Sequence, residues 1–184
     1  MKQVLLSLCV LLFAAAAASA QRVTGHVGGF YQSKLKAPDG SDQSLHQWGV
    51  SAGVQFEPFY PWPIYLETGM DVVMAVTPSH TADAYRLEVP LDVTWQWEPG
   101  PNFSIGPYLG AYGSCYLWVS PSYGEKAERN TFGWGLMGGV SVRPKALLVN
   151  VGYYRDMMPI RKDTVGQDFF RIGHGIRVSL AWCF

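Results

Sequence analysis

The residues best equipped for chemistry are eight charged side chains: Glu67, Asp71, Arg86, Glu88, Asp92, Arg143, Arg171 and Arg177. Each falls on the polar register of a segment whose alternate residues are apolar, so all eight are expected to face one interior. Carboxylates and guanidiniums held away from water must pair, because an uncompensated buried charge is strongly destabilising. The expectation is a polar network that plugs a closed or narrow lumen, with an ion or solute path as the alternative.

Other constellations are weaker. Of the four histidines, His46 and His80 fall in or beside loops, His26 points inward, and His174 shares the outward register of Ile172 and Ile176. A metal site needs three or four convergent ligands, and these do not converge, so no metal and no other cofactor is expected. Ser79, His80 and Asp83 share one loop as Ser-His-Thr-Ala-Asp. A catalytic triad is recognised by geometry rather than adjacency, so no catalytic residue is assigned and the chain is expected not to be an enzyme. Gly133-Trp134-Gly135-Leu136-Met137-Gly138 spells a nucleotide-binding fingerprint but lies in a strand pattern and opens no helix, which excludes it. Its inward glycines make room for the tyrosines opposite. Cys115 and Cys183 fall on opposite faces of non-neighbouring strands and are expected as free thiols. The formal net charge of zero leaves no basic footprint for nucleic acid.

The elements that position these residues are strands. Residues 1–20 form a secretory signal peptide: Lys2, an apolar run from Val4 to Phe13, and an Ala tract ending Ala18-Ser19-Ala20. The full chain is rich in aromatics (14%) and poor in charge (15%), against roughly 25% charged in typical soluble chains, and the mature domain is 21–184. It contains no apolar run long enough for a membrane helix.

Eight alternating segments follow: 22–33, 47–57, 62–76, 85–98, 103–119, 131–143, 146–155 and 169–184. The fourth is the clearest, with Tyr85, Leu87, Val89, Leu91, Val93, Trp95 and Trp97 on one face and Arg86, Glu88, Pro90, Asp92, Thr94, Gln96 and Glu98 on the other. Tyr108, Tyr112 and Tyr116 are expected inside. Connections alternate, short and Pro-rich after even-numbered segments, longer and polar after odd ones, as in an up-and-down barrel with short periplasmic turns and longer outer loops. Aromatics collect near both ends of the segments. Phe56, Phe59, Tyr60, Trp62, Trp95, Trp97, Trp182 and Phe184 mark the short-turn side, and Tyr31, Tyr85, Trp118, Phe132 and Phe170 the other.

The fold expected is all-β: an eight-stranded antiparallel up-and-down transmembrane β-barrel. A soluble lipocalin-like barrel has the same periodicity but would pack these Trp and Phe residues inside and expose the charges. Leu180, Trp182 and Phe184 close the last segment in a pattern that resembles the C-terminal signature of bacterial outer-membrane barrels, which implies reading by the barrel insertion machinery.

Tyr85-Arg86-Leu87-Glu88-Val89-Pro90-Leu91 resembles the Leu-Glu-Ile-Pro-Leu strand of the PorT-type outer-membrane β-barrel family of small porin-like proteins. Gly106-Pro107-Tyr108-Leu109-Gly110-Ala111-Tyr112, the Gly-rich sixth segment and the Phe-ended eighth agree with that family in order and spacing. The later outer loop and the aromatic fifth segment depart from it. The resemblance implies residence in the outer membrane, in contact with its lipid. Because loops are where function is usually displayed, the expectation is a non-enzymatic porin-like protein with its outer loops as interaction surface and an extracellular or periplasmic protein as partner. The alternatives are a membrane-embedded hydrolase or acyltransferase and an accessory component of an outer-membrane secretion apparatus.

Overall fold

Period-two alternation gives each segment one apolar and one polar face, and closing the sheet on itself decides which face meets the outside. The computed structural model describes residues 23–34, 46–58, 62–76, 82–100, 102–119, 128–129, 132–157, 161–162 and 174–184. The strands are β1 (Val23–Lys34), β2 (His46–Phe56), β3 (Ile64–Val76), β4 (Ala82–Trp95), β5 (Trp97–Gly100), β6 (Phe103–Val119), β7 (Glu128–Arg129), β8 (Phe132–Pro144), β9 (Leu147–Asp156), β10 (Arg161–Lys162) and β11 (His174–Cys183). The long strands pair antiparallel in the ring order β4, β3, β2, β1, β11, β9, β8, β6, and β6 pairs back onto β4. The result is a closed all-antiparallel barrel of eight staves, with β4 and β5 forming one stave.

Several boundaries differ from those the alternation suggests. The fourth stave is interrupted at Gln96, whose N–H donates to the Pro63 carbonyl at 2.8 Å in the register of the preceding Ile64↔Trp95 pair, while Pro63 has no N–H to return the bond. β3 begins at Ile64, two residues after Trp62, and β9 runs on to Asp156. β7 and β10 pair with each other and tie two of the long connections together; two-residue strands leave no periodic signal. Residues 1–20, expected as a signal peptide, and residues 169–173 at the start of the last segment, Arg171 included, lie outside the described residues.

Burial is inverted relative to a water-soluble fold. Gln32, Gln47, Asp71, Arg86, Glu88, Asp92 and Arg177 are buried inside, whereas Leu109 is 70%, Trp97 65% and Trp182 63% exposed outside. Apolar surface on this scale is not left in water. Trp62, Trp95, Trp97, Trp182 and Phe184 stand exposed toward the short-turn end and Tyr85 and Phe132 toward the other. Phe56 departs from the expected girdle: it keeps the outward register, paired with Val23 and Leu66, but is covered. The side chains of Phe59, Tyr60, Trp118 and Phe170 lie outside the described residues.

Several bulky interior groups fit because they lie opposite a glycine. Phe30 pairs with Gly49, His26 with Gly53, Asp92 with Gly110 and Tyr112 with Gly135. A Cβ on Gly49 would sit 2.1 Å from the Phe30 ring, and one on Gly135 would sit 2.3 Å from Tyr112. Pro90 lacks an N–H and breaks the β3–β4 ladder between Thr68↔Leu91 and Asp71↔Glu88; the Thr68 hydroxyl donates to the Pro90 carbonyl at 2.7 Å.

Gly135→Val is therefore expected to lower the urea midpoint of the refolded barrel by the equivalent of about 1–3 kcal/mol. Gly113→Ala, whose Cβ meets nothing closer than the Phe132 ring at 3.7 Å, leaves the midpoint unchanged.

Candidate functional site in the barrel interior

Register alone brings like charges together. Across β3 and β4, Glu67 lies opposite Asp92 and Asp71 opposite Glu88, an arrangement that destabilises a sheet unless cations intervene. For the second pair the cation comes from the far wall. Arg177 on β11, four staves from β4 around the ring of eight, reaches Asp71 with Nη2 and Glu88 Oε2 with Nη1 at 3.2 Å. Its guanidinium also lies 3.8 Å above the Phe30 ring centroid, a cation–π contact that orients the group while it bridges two strands.

Arg86 neutralises the same centre from the other side. Its Nη2 lies 2.5 Å from Glu88 Oε1 and donates to Gln47 Oε1 at 3.0 Å and Gln32 Oε1 at 3.2 Å. Nη1 approaches Asp156 at 4.0 Å, and the Tyr112 hydroxyl donates to the same carboxylate. Glu88 is fully buried at the middle of this network. Tyr108, Tyr112, Tyr154 and Met137 pack together on the β6, β8 and β9 wall, so the lumen has a charged side and an aromatic side.

Toward the short turns the network thins. His26 Nε2 lies 3.5 Å from Glu67 Oε1, and Asp92 Oδ1 has no hydrogen-bond partner although the residue is buried. Both carboxylates border a cavity of about 30 Å³ that also touches Asp71 and Arg177. Below it, Arg143 donates to Gln55 Oε1 at 3.2 Å, the Ser104 hydroxyl donates to Gln96 Oε1 at 3.1 Å, and the Tyr65 hydroxyl donates to Glu98 at 2.9 Å.

Of the eight expected residues, the structure brings Asp71, Arg86, Glu88 and Arg177 into one ion-pair cluster, with Glu67 one step removed on His26. Arg143 does not join them, because it sits at the end of β8 near the short-turn mouth. Asp92 meets no cation at salt-bridge distance among the described residues, and Arg171 lies outside them. Asp156, Phe30, Gln32 and Gln47 are members that sequence reasoning missed. Asp156 continues the inward register of Leu148, Asn150, Gly152 and Tyr154, so the signal was present but was cut off by starting the loop one residue early. Phe30 is in phase with His26 and Gln32, yet its apolar nature hides an inward position.

No group of three or more His, Cys, Asp or Glu among the described residues is arranged to hold a metal ion. His46 meets the Tyr31 hydroxyl at 2.5 Å near the long-loop rim, and His174 lies against Tyr153 on the outer surface. Ser79, His80 and the side chain of Asp83 fall outside the described residues. Cys115 is exposed and Cys183 buried, and both are free.

No protein-family model matches the chain, and no curated protein matches it by sequence. Solved structures do. Neisserial surface protein A superposes with a TM-score of 0.50 at 9% identity, covering 89% of this chain and 100% of that one. The outer-membrane protein OprG from Pseudomonas aeruginosa gives 0.45 at 12% identity over 90% of this chain and 97% of that one. The Yersinia pestis outer-membrane protein Ail gives 0.38 at 12% identity over 88% of this chain and 99% of its own. At such identities the likeness to Neisserial surface protein A establishes the fold: a closed eight-stranded barrel of the type found in small outer-membrane proteins.

Arg177→Met leaves Asp71 and Glu88 facing each other with one guanidinium fewer, and is expected to destabilise the barrel by about 3–5 kcal/mol. Adding Asp71→Asn and Glu88→Gln to that variant recovers a large part of the loss. Equilibrium unfolding in detergent, followed by gel mobility of unboiled samples, reads both.

Proposed function

We propose that the chain is an outer-membrane protein, exported by residues 1–20, whose barrel is a closed, non-conducting wall and whose outer loops are the working surface. The observation that carries this reading is the Arg177 bridge, which spans the lumen from β11 to β3 and β4 at the level of the fully buried Glu88. Side chains in mutual contact fill the cross-section there, as a small eight-stranded barrel allows. The apolar belt between two sets of exposed aromatics supports residence in a bilayer. Short connections at residues 101–102 and 145–146 mark the periplasmic end, and long ones the outside.

The role is non-enzymatic. The charged interior groups that touch are engaged with one another, which suits a plug rather than a site open to substrate. The resemblance of the fourth and fifth segments to PorT-type barrels is in keeping with this; an extracellular protein is the partner class that long loops tied by β7 and β10 would suit, and a periplasmic partner would meet the short turns instead. Insertion would rest on Leu180, Trp182 and Phe184, which present one outward apolar row at the end of β11.

Refolded protein in planar bilayers is expected to show no steady conductance at moderate voltage. Stable single-channel steps from the unmodified chain would contradict the plug.

A further inference from the structure

Among the described side chains of the long strands, the outward register carries a single Lys, Arg, Asp or Glu. It is Arg155, exposed at the long-connection end of β9. Its direction is set by the ladders on both sides. Val149, Val151, Tyr153 and Arg155 face Leu180, Val178, Ile176 and His174 of β11, and Arg155 lies opposite Leu136 of β8. A guanidinium on a lipid-facing row is costly in hydrocarbon and is tolerated only where it reaches the headgroup level.

The neighbours of Arg155 place it at that level. The Tyr153 and His174 rings lie 5.8 Å apart, centroid to centroid. Trp134 stands diagonally across on β8, its carbonyl accepting the Met157 N–H two residues past Arg155. All three pair an apolar ring with a polar edge, the side chains that a bilayer interface selects. Farther down the wall the surface turns apolar at Ile176, and Leu136 already flanks the guanidinium. No carboxylate answers the charge. The adjacent Asp156 turns to the inner face, where it meets Tyr112 and Arg86, and no other described Asp or Glu of the long strands shares the outer surface.

We propose that Arg155 docks the phosphate headgroup of an anionic lipid at the outer face of the barrel. The guanidinium fork takes two phosphate oxygens, Trp134 and Tyr153 flank the headgroup, and an acyl chain lies along the apolar row that begins at Leu136 and Ile176. A lipid phosphate fits this place better than a soluble anion. The surroundings are exposed apolar rings, with no second cation among the described outward side chains to close around a free ion. The inference rests on the membrane reading proposed above, and the choice of the outer leaflet rests on the long connections facing outward.

The test is tryptophan quenching in phosphatidylcholine vesicles that contain a minor share of phosphatidic acid, with bromine on the acyl chains of one lipid or the other. The share of quenching lost in Trp134→Phe reads the lipid beside Arg155. Brominated phosphatidic acid is expected to quench Trp134 about fivefold beyond its mole fraction, as attraction of anionic lipid to an interfacial cation gives. Arg155→Gln, checked for heat-modifiable gel mobility, brings that quenching down to the mole fraction, while Lys145→Gln at the opposite rim leaves the excess in place. Quenching of Trp134 in simple proportion to mole fraction in the parent, or an excess that survives Arg155→Gln, would overturn the site. So would loss of the excess on adding inorganic phosphate but not chloride of equal ionic strength, since the ligand would then be a free anion. In each of these cases brominated phosphatidylcholine still quenches the aromatic belt. No quenching from either lipid would instead sink the membrane reading, and this site with it.

Discussion

The interior of this barrel depends on how two pairs of carboxylates, facing one another across β3 and β4, are kept compatible with a closed wall. Asp71 and Glu88 are reconciled by guanidiniums approaching from two directions, Arg177 from the opposite stave and Arg86 from Glu88's own strand. A buried ion pair adds little net stability over well-packed apolar groups, but removing one partner is costly. Its value here is in register. Slipping β11 by one residue would turn Arg177 to the apolar exterior and bring Ile176 or Val178 against the carboxylates, so the charged cluster fixes which face of every neighbouring strand points inward.

Space for that cluster is made by the opposite strategy on neighbouring strands. Glycines at 49, 53, 110 and 135 accept Phe30, His26, Asp92 and Tyr112 across the ladder. The high glycine content is thus less a matter of flexibility than of volume, since a narrow lumen cannot hold a large side chain at both positions of a pair. Beyond the ion-pair cluster the lumen passes through the thinly paired Glu67 and Asp92 to the short-turn end, and buried amides without a partner occur at both levels, Gln32 Nε2 beside Arg86 and Gln55 Nε2 and Gln96 Nε2 below.

The strands were legible in the sequence because period two over ten or more residues excludes a helix, and the fourth stave shows it without a break from Tyr85 to Trp95. The inward assignment of Glu67, Asp71, Arg86, Glu88, Asp92 and Arg177 followed from the same alternation. Which of them touch did not, because partners on β11 and β4 are set by ring closure and strand stagger rather than by local pattern. That is why Arg143, correctly placed inside, turned out to belong to the mouth and not to the carboxylates. Phe30 and Asp156 were hidden for local reasons, one apolar on a polar register and the other at a strand end. Phe56 kept its register yet is covered, which alternation does not encode.

The central claim is that the apolar face of the wall meets lipid and the charged face does not. Cys115 offers a direct probe, being an exposed free thiol on the outward register of β6, while Cys183 is buried on the inner face. A nitroxide attached to Cys115 in a Cys183→Ser background, with the barrel in liposomes, should be broadened far more by dissolved oxygen than by a water-soluble nickel chelate. Greater sensitivity to the chelate would place that face in water and contradict the inverted barrel.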